Sequence, residues 1–132
     1  MKVGLDASVV VRLLLGQPAE QTKAAVALLD GLLRQGHRPQ VSDLVVAEVY
    51  RTLCDKYQVP APEVLRALDV LFDAGEIRCD GVAAQVLKTP GVAAGSPGFV
   101  ERLIHRQYLN EGDQMATFDR AAQRLNGVRL LR

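Results

Sequence analysis

Tryptophan is absent from this chain of 132 residues, and Tyr and Phe contribute only three residues each. That scarcity argues against a surface that binds single strands by stacking bases on successive rings, and Tyr50, Tyr57 and Tyr108 read instead as packing or boundary residues. Only two cysteines occur, Cys54 and Cys79, and they belong to no CxxC or Cys/His cluster. Neither a zinc site nor a disulfide framework follows from them, and both read as buried free thiols. An excess of one charge is missing too: 16 Lys and Arg against 15 Asp and Glu leave a net charge of +1. A highly basic architectural nucleic-acid binder is excluded, so any RNA or DNA contact has to come from a local patch. No apolar run approaches the roughly 18 to 20 residues of a membrane span, and the first residues enter a patterned segment without the features of a secretion signal. The expected compartment is the cytosol.

What is present is the composition of a folded domain, with 48% hydrophobic and 23% charged residues and a mean hydropathy of +0.06. The length fits one domain over 1–132. Lys2-Val3-Gly4-Leu5 reads as a strand, and the apolar stretch after Asp6 reads as a helix stopping at Gly16. Pro18 opens a second helix that ends at Gly36. Pro39-Gln40-Val41 suggests a short strand, after which Ser42 is a fitting cap for a helix with Val45, Val49 and Leu53 at four-residue steps. A Pro62 helix, a strand at Glu76-Ile77-Arg78-Cys79 and a short helix capped by Asp80 follow. Residues 89–98, rich in Gly, Ala and Pro, read as a mobile loop. Ser96 and Pro97 then signal a helix over about 98–111, residues 114–118 a fourth strand, and Val128-Arg129-Leu130-Leu131 a fifth. Alternation of this kind predicts an α/β fold with a parallel central sheet of four to five strands flanked by helices, a Rossmann-like sandwich.

In such sheets ligands bind beyond the carboxyl ends of the strands. Asp6 follows the first strand and Asp119 the fourth, although either could serve only as a helix cap. Glu48 falls about 60° from Val45 on a helical wheel, beside the apolar stripe, where an acid can face a cleft or pair with Arg51 on the surface. Glu101 occupies a similar edge of its helix; first-turn placement and an i+4 partner in His105 are the structural alternative. Carboxylates gathered in one crevice repel by roughly 1 kcal/mol per pair at 4 Å in water and about 4 at an effective dielectric of 20. A cluster would need a cation, and oxygen donors without His or Cys select a hard ion such as Mg²⁺ or Mn²⁺. Such an ion acts on phosphate esters by activating a water and neutralising the leaving oxygen.

Three ordered stretches, Lys2-Val3-Gly4-Leu5-Asp6-Ala7-Ser8-Val9-Val10, Ser42-Asp43-Leu44-Val45-Val46-Ala47-Glu48-Val49-Tyr50 and Thr117-Phe118-Asp119-Arg120, resemble the motifs of PIN-domain ribonucleases. The likeness is closest to VapC-type toxins of bacterial toxin–antitoxin pairs. It implies a metal site in which Asp6, Glu48 and Asp119 match three of the family's acids, with Ser8 and Thr117 as supporting hydroxyls. Glu101 stands where a fourth acid, normally Asp, is expected, and Arg102-Leu103-Ile104-His105 replace the small residues that usually follow. Ala121 and Ala122 stand where many relatives carry a further acid. The resemblance also implies RNA as substrate, a homodimer, and an antitoxin whose C-terminal segment covers the acidic crevice.

The leading expectation is therefore a Mg²⁺- or Mn²⁺-dependent endoribonuclease using Asp6, Glu48, Glu101 and Asp119 both as metal ligands and as catalytic groups. The alternative keeps the fold but makes it an inactive RNA-binding or protein-interaction module, motivated by Glu101 and its neighbours. Arg102, with Arg106 one turn on, is a candidate phosphate contact whose structural alternative is a solvated basic face. Chemistry through an aspartyl phosphate is disfavoured, because Ser8 stands where that phosphatase pattern needs a second Asp.

Overall fold

A computed structural model describes residues 1–132 except for the side chain of Ala94. Two compact units divide the chain, Met1–Asp80 and Gly81–Arg132.

In the first unit, β1 (Lys2–Gly4) runs through buried Leu5 to Asp6, which caps α1 (Ala7–Leu15). The helix stops at Gly16, whose φ of 72° is left-handed and whose N–H donates to the Arg12 carbonyl, a conformation that glycine adopts without a Cβ clash. After α2 (Ala19–Arg34), β2 (Arg38–Ser42) pairs in parallel with β1, setting Val3 opposite Pro39. Ser42 ends that strand and caps α3 (Asp43–Arg51), its hydroxyl accepting the Val45 N–H at 3.3 Å. The helix then widens into a π-type turn over Thr52–Lys56, in which the Tyr57 N–H reaches back to the Thr52 carbonyl. After α4 (Ala61–Asp73), β3 (Arg78–Asp80) pairs with β2 in parallel and completes the order β1-β2-β3. The buried core holds Val10, Val41, Val46, Val49, Val64, Leu68 and Ile77. Val64, Leu65 and Leu68 face it because their spacing puts them on one stripe of α4.

The second unit contains α5 (Ala83–Leu87), a single 3₁₀ turn at Val92–Ala94, α6 (Phe99–Asn110), β4 (Met115–Thr117), a 3₁₀ turn at Arg120–Arg124 and β5 (Val128–Leu130). β4 and β5 pair in parallel, with Met115 opposite Val128. Phe99, Leu103, Val86 and Ala122 are buried.

The mixed α/β character and the parallel pairing match the sequence reading, whereas a single central sheet of four to five strands does not appear. The five strands form one three-stranded and one two-stranded sheet. β4 and β5 are three residues long and exchange hydrogen bonds with each other across a crossover that holds only a 3₁₀ turn. Parallel pairs usually need a dozen or more connecting residues and a full helix. Two helix starts also differ. Asp80 closes β3 and Val82 occupies the N-cap of α5; Gly98, not Ser96, is the N-cap of α6. Part of residues 89–98 is ordered as the 3₁₀ turn. Among the described residues no helix is long and apolar enough to cross a membrane.

Candidate functional site

Asp6 leaves β1 with extended backbone (φ −76°, ψ 157°), and its Oδ2 accepts both the Ser8 N–H at 3.1 Å and the Ser8 hydroxyl at 2.7 Å. The hydroxyl bond is the leading cause, with the backbone bond second, of a carboxyl pKa held below its ordinary value, so Asp6 is ionised at neutral pH. Both bonds fall on Oδ2, which leaves Oδ1 for other partners. Glu48 extends from α3 into the same cavity, a space of about 210 Å³ that Asp6, Ser8, Arg12, Thr52, Lys56 and Tyr57 also line. The strand-end acid and the helix-edge acid, far apart in sequence, thus share one recess.

Four polar residues that line this cavity were not identified as site residues from the sequence: Arg12, Thr52, Lys56 and Tyr57. Arg12 is the one charged residue within the apolar helix α1. Its Nη1 donates to the Gln17 carbonyl at 2.9 Å, and Nη1 and Nη2 approach the Tyr57 hydroxyl at 3.2 and 3.3 Å. Cationic groups of Arg12 and Lys56 lie 5.9 and 5.5 Å from the Tyr57 ring centre, within cation–π range. The Arg12 hydrogen bond is the main reason that the Tyr57 phenol is more acidic than usual. Thr52, Lys56 and Tyr57 reach the cavity through the π-type turn, a feature often found at functional sites and invisible to a period-3.6 reading.

The other expected site residues belong to the second unit. Glu101 lies in the first turn of α6, and its Oε2 is 2.7 Å from where a Cβ on Gly98 would be, so the carboxylate folds back over the N-cap glycine. Gly98 has no side chain to complete a capping box, so the sequence carried no such signal for Glu101. His105 is buried and hydrogen-bonds through Nε2 to the Asn126 carbonyl, so the i+4 pairing with Glu101 is replaced. Asp119 caps the 3₁₀ turn, with Oδ1 accepting the Ala121 N–H at 3.0 Å, while its own N–H donates to the Thr117 hydroxyl at 3.0 Å. Arg102 donates from Nε to the Pro97 carbonyl at 2.9 Å.

Among the described residues, no group of three or more His, Cys, Asp and Glu side chains forms a metal-holding cluster. The structure therefore brings together Asp6, Ser8 and Glu48. It gives Glu101, Thr117 and Asp119 local contacts at helix and turn starts. No protein-family profile, curated protein or solved structure matches the chain. Function has to be argued from these residues.

Proposed function

We propose that this protein is a Mg²⁺- or Mn²⁺-dependent endoribonuclease of PIN-like, VapC-type kind, with Asp6 and Glu48 as the metal ligands. The single observation that carries the reading is that these two carboxylates line one cavity together with the hydroxyls of Ser8 and Thr52. The donor set suits a hard ion: Mg²⁺ is commonly held by one or two carboxylates and keeps several of its waters. When bound, such an ion would lower the pKa of a water and neutralise charge on a phosphate ester. The protein's own groups complement that chemistry. Ser8 orients the Asp6 carboxylate through two hydrogen bonds to Oδ2, while Arg12 and Lys56 supply positive charge in the same recess for a phosphodiester. Whether Glu101 and Asp119, the further acids of the resemblance, contribute to activity as well is tested by Glu101→Gln and Asp119→Asn in an RNA-cleavage assay. A homodimer and an antitoxin partner belong to the proposal as well.

A second reading, an inactive RNA-binding or protein-interaction module, is favoured by Glu101 folded over Gly98 and Asp119 bonded to Ala121, both of which are structural uses of an acid. Cleavage of labelled single-stranded RNA in Mn²⁺ separates the two. The enzyme reading expects cutting by wild type and a loss of more than about 100-fold in Asp6→Asn and Glu48→Gln, since even supporting residues around a metal are worth 10- to 100-fold. Intact RNA at every Mn²⁺ concentration overturns it in favour of the module.

A further inference from the structure

The second unit carries seven Lys and Arg against four Asp and Glu, a net charge of +3, while the first unit is at −2. Part of that excess is concentrated. A cavity of about 210 Å³ is lined by Arg102, Arg106 and Arg124 with His105, Thr89 and Asn126 and by three apolar side chains, and no Asp or Glu is among its lining residues. Two of the guanidinium groups are anchored on the carbonyls of consecutive residues. Arg102 Nε donates to the Pro97 oxygen at 2.9 Å and Arg124 Nη2 to the Ser96 oxygen at 2.8 Å. Arg106 follows Arg102 one turn along α6 and makes only long contacts of 3.5 Å, to the Gln85 amide and the Thr89 hydroxyl. Every one of these acceptors is neutral. A guanidinium has five N–H donors, so most remain for a ligand. His105 bonds the Asn126 carbonyl, tying α6 to the segment just after Arg124.

We propose that this cavity is an oxyanion site that binds a terminal phosphate group, independent of the Asp6–Glu48 recess. Three like charges that share a recess without a counter-ion repel, and a bound anion relieves that repulsion. Planar N–H forks match phosphate oxygens, and anchoring two of them on backbone carbonyls lowers the ordering cost of binding. The space of about 210 Å³ is roomy enough for a tetrahedral anion and part of its hydration. No Phe, Tyr or Trp lines the cavity, and its one ring, the buried His105 imidazole, is tied to the Asn126 carbonyl, so the site is not built to stack a base. A phosphomonoester, with a charge of about −1.5 to −2 at neutral pH, matches the three cations better than a diester.

The test is calorimetric titration of the full-length protein with inorganic phosphate at constant ionic strength and without divalent metal. The expected result is saturable binding, stronger than that of chloride, weakened at least tenfold in Arg106→Gln. That variant leaves the 2.9 and 2.8 Å anchors intact, and circular dichroism checks its fold. Arg102→Gln and Arg124→Gln are expected to lose as much, while Arg129→Gln, outside the cavity, binds as wild type does. Asp6→Asn also binds phosphate normally, so the result is independent of the ribonuclease reading. A 5′-phosphorylated oligoribonucleotide that binds better than both inorganic phosphate and its 5′-hydroxyl counterpart identifies the source as a nucleic-acid end; equal binding of phosphorylated oligomer and inorganic phosphate identifies it as free phosphate. Phosphate binding no stronger than chloride, or unchanged in all three arginine variants, overturns the proposal.

Discussion

Ser8 shows how much one side chain can decide. Its hydroxyl and backbone N–H both bond Asp6 Oδ2, and they lower the carboxyl pKa. A carboxylate with a lowered folded-state pKa contributes stability that is present above its ordinary pKa and is lost as pH falls through the lowered value. Ser8→Ala is expected to move the Asp6 titration upward, toward the ordinary carboxylate range. An NMR pH titration of the side-chain carboxyl checks this, and an unmoved midpoint contradicts it. Tyr57 obeys the same sign. Its phenol is more acidic than usual, chiefly through the Arg12 hydrogen bond, so stability rises with pH between the lowered and the ordinary phenol pKa. Arg12→Gln is expected to shift the phenolate absorbance transition of Tyr57 to higher pH. Asp6 and Glu48 were legible in the sequence because one ends an apolar strand and the other borders an apolar helical stripe. Tyr57 and Lys56 were not, since the π-type turn changes the phase that a regular helix would carry forward.

At the scale of elements, the α-helices and strands were legible from apolar runs bounded by Gly, Pro and cap residues, whereas the π-type turn and the two 3₁₀ turns were not, and two helix starts were misplaced. Asp80 and Ser96 are good caps by residue type, yet Asp80 finishes a strand and Ser96 precedes a buried Pro97. Local preference yields there to strand pairing and to packing. Ser42 is a cap in fact as well as by type, and Ser42→Ala is expected to cost about 1 kcal/mol of unfolding free energy in urea denaturation. The buried stripe of α4 should be more sensitive. Leu68 is fully enclosed, so Leu68→Ala is expected to cost roughly 2 to 5 kcal/mol, and a loss below that of Ser42→Ala would contradict its place in the core.

Across the whole molecule, the sequence pattern revealed an alternating, parallel α/β chain but not that its strands divide into a sheet of three and a sheet of two. Strand partners depend on contacts between distant segments, and runs of three residues carry little register information. The net charge of +1 averages an acidic first unit against a basic second one, an asymmetry that whole-chain composition does not reveal. The resemblance named the acids by motif order, and two of them, Asp6 and Glu48, line one cavity of the first unit. Thermal unfolding of wild type, Asp6→Asn and Glu48→Gln across a Mn²⁺ titration tests whether those two hold one ion. Wild type is expected to gain stability, by about 2.7 kcal/mol at 100 times the dissociation constant, and each variant to gain less. Equal gains in all three proteins, or no gain in wild type, would contradict a metal site at Asp6 and Glu48.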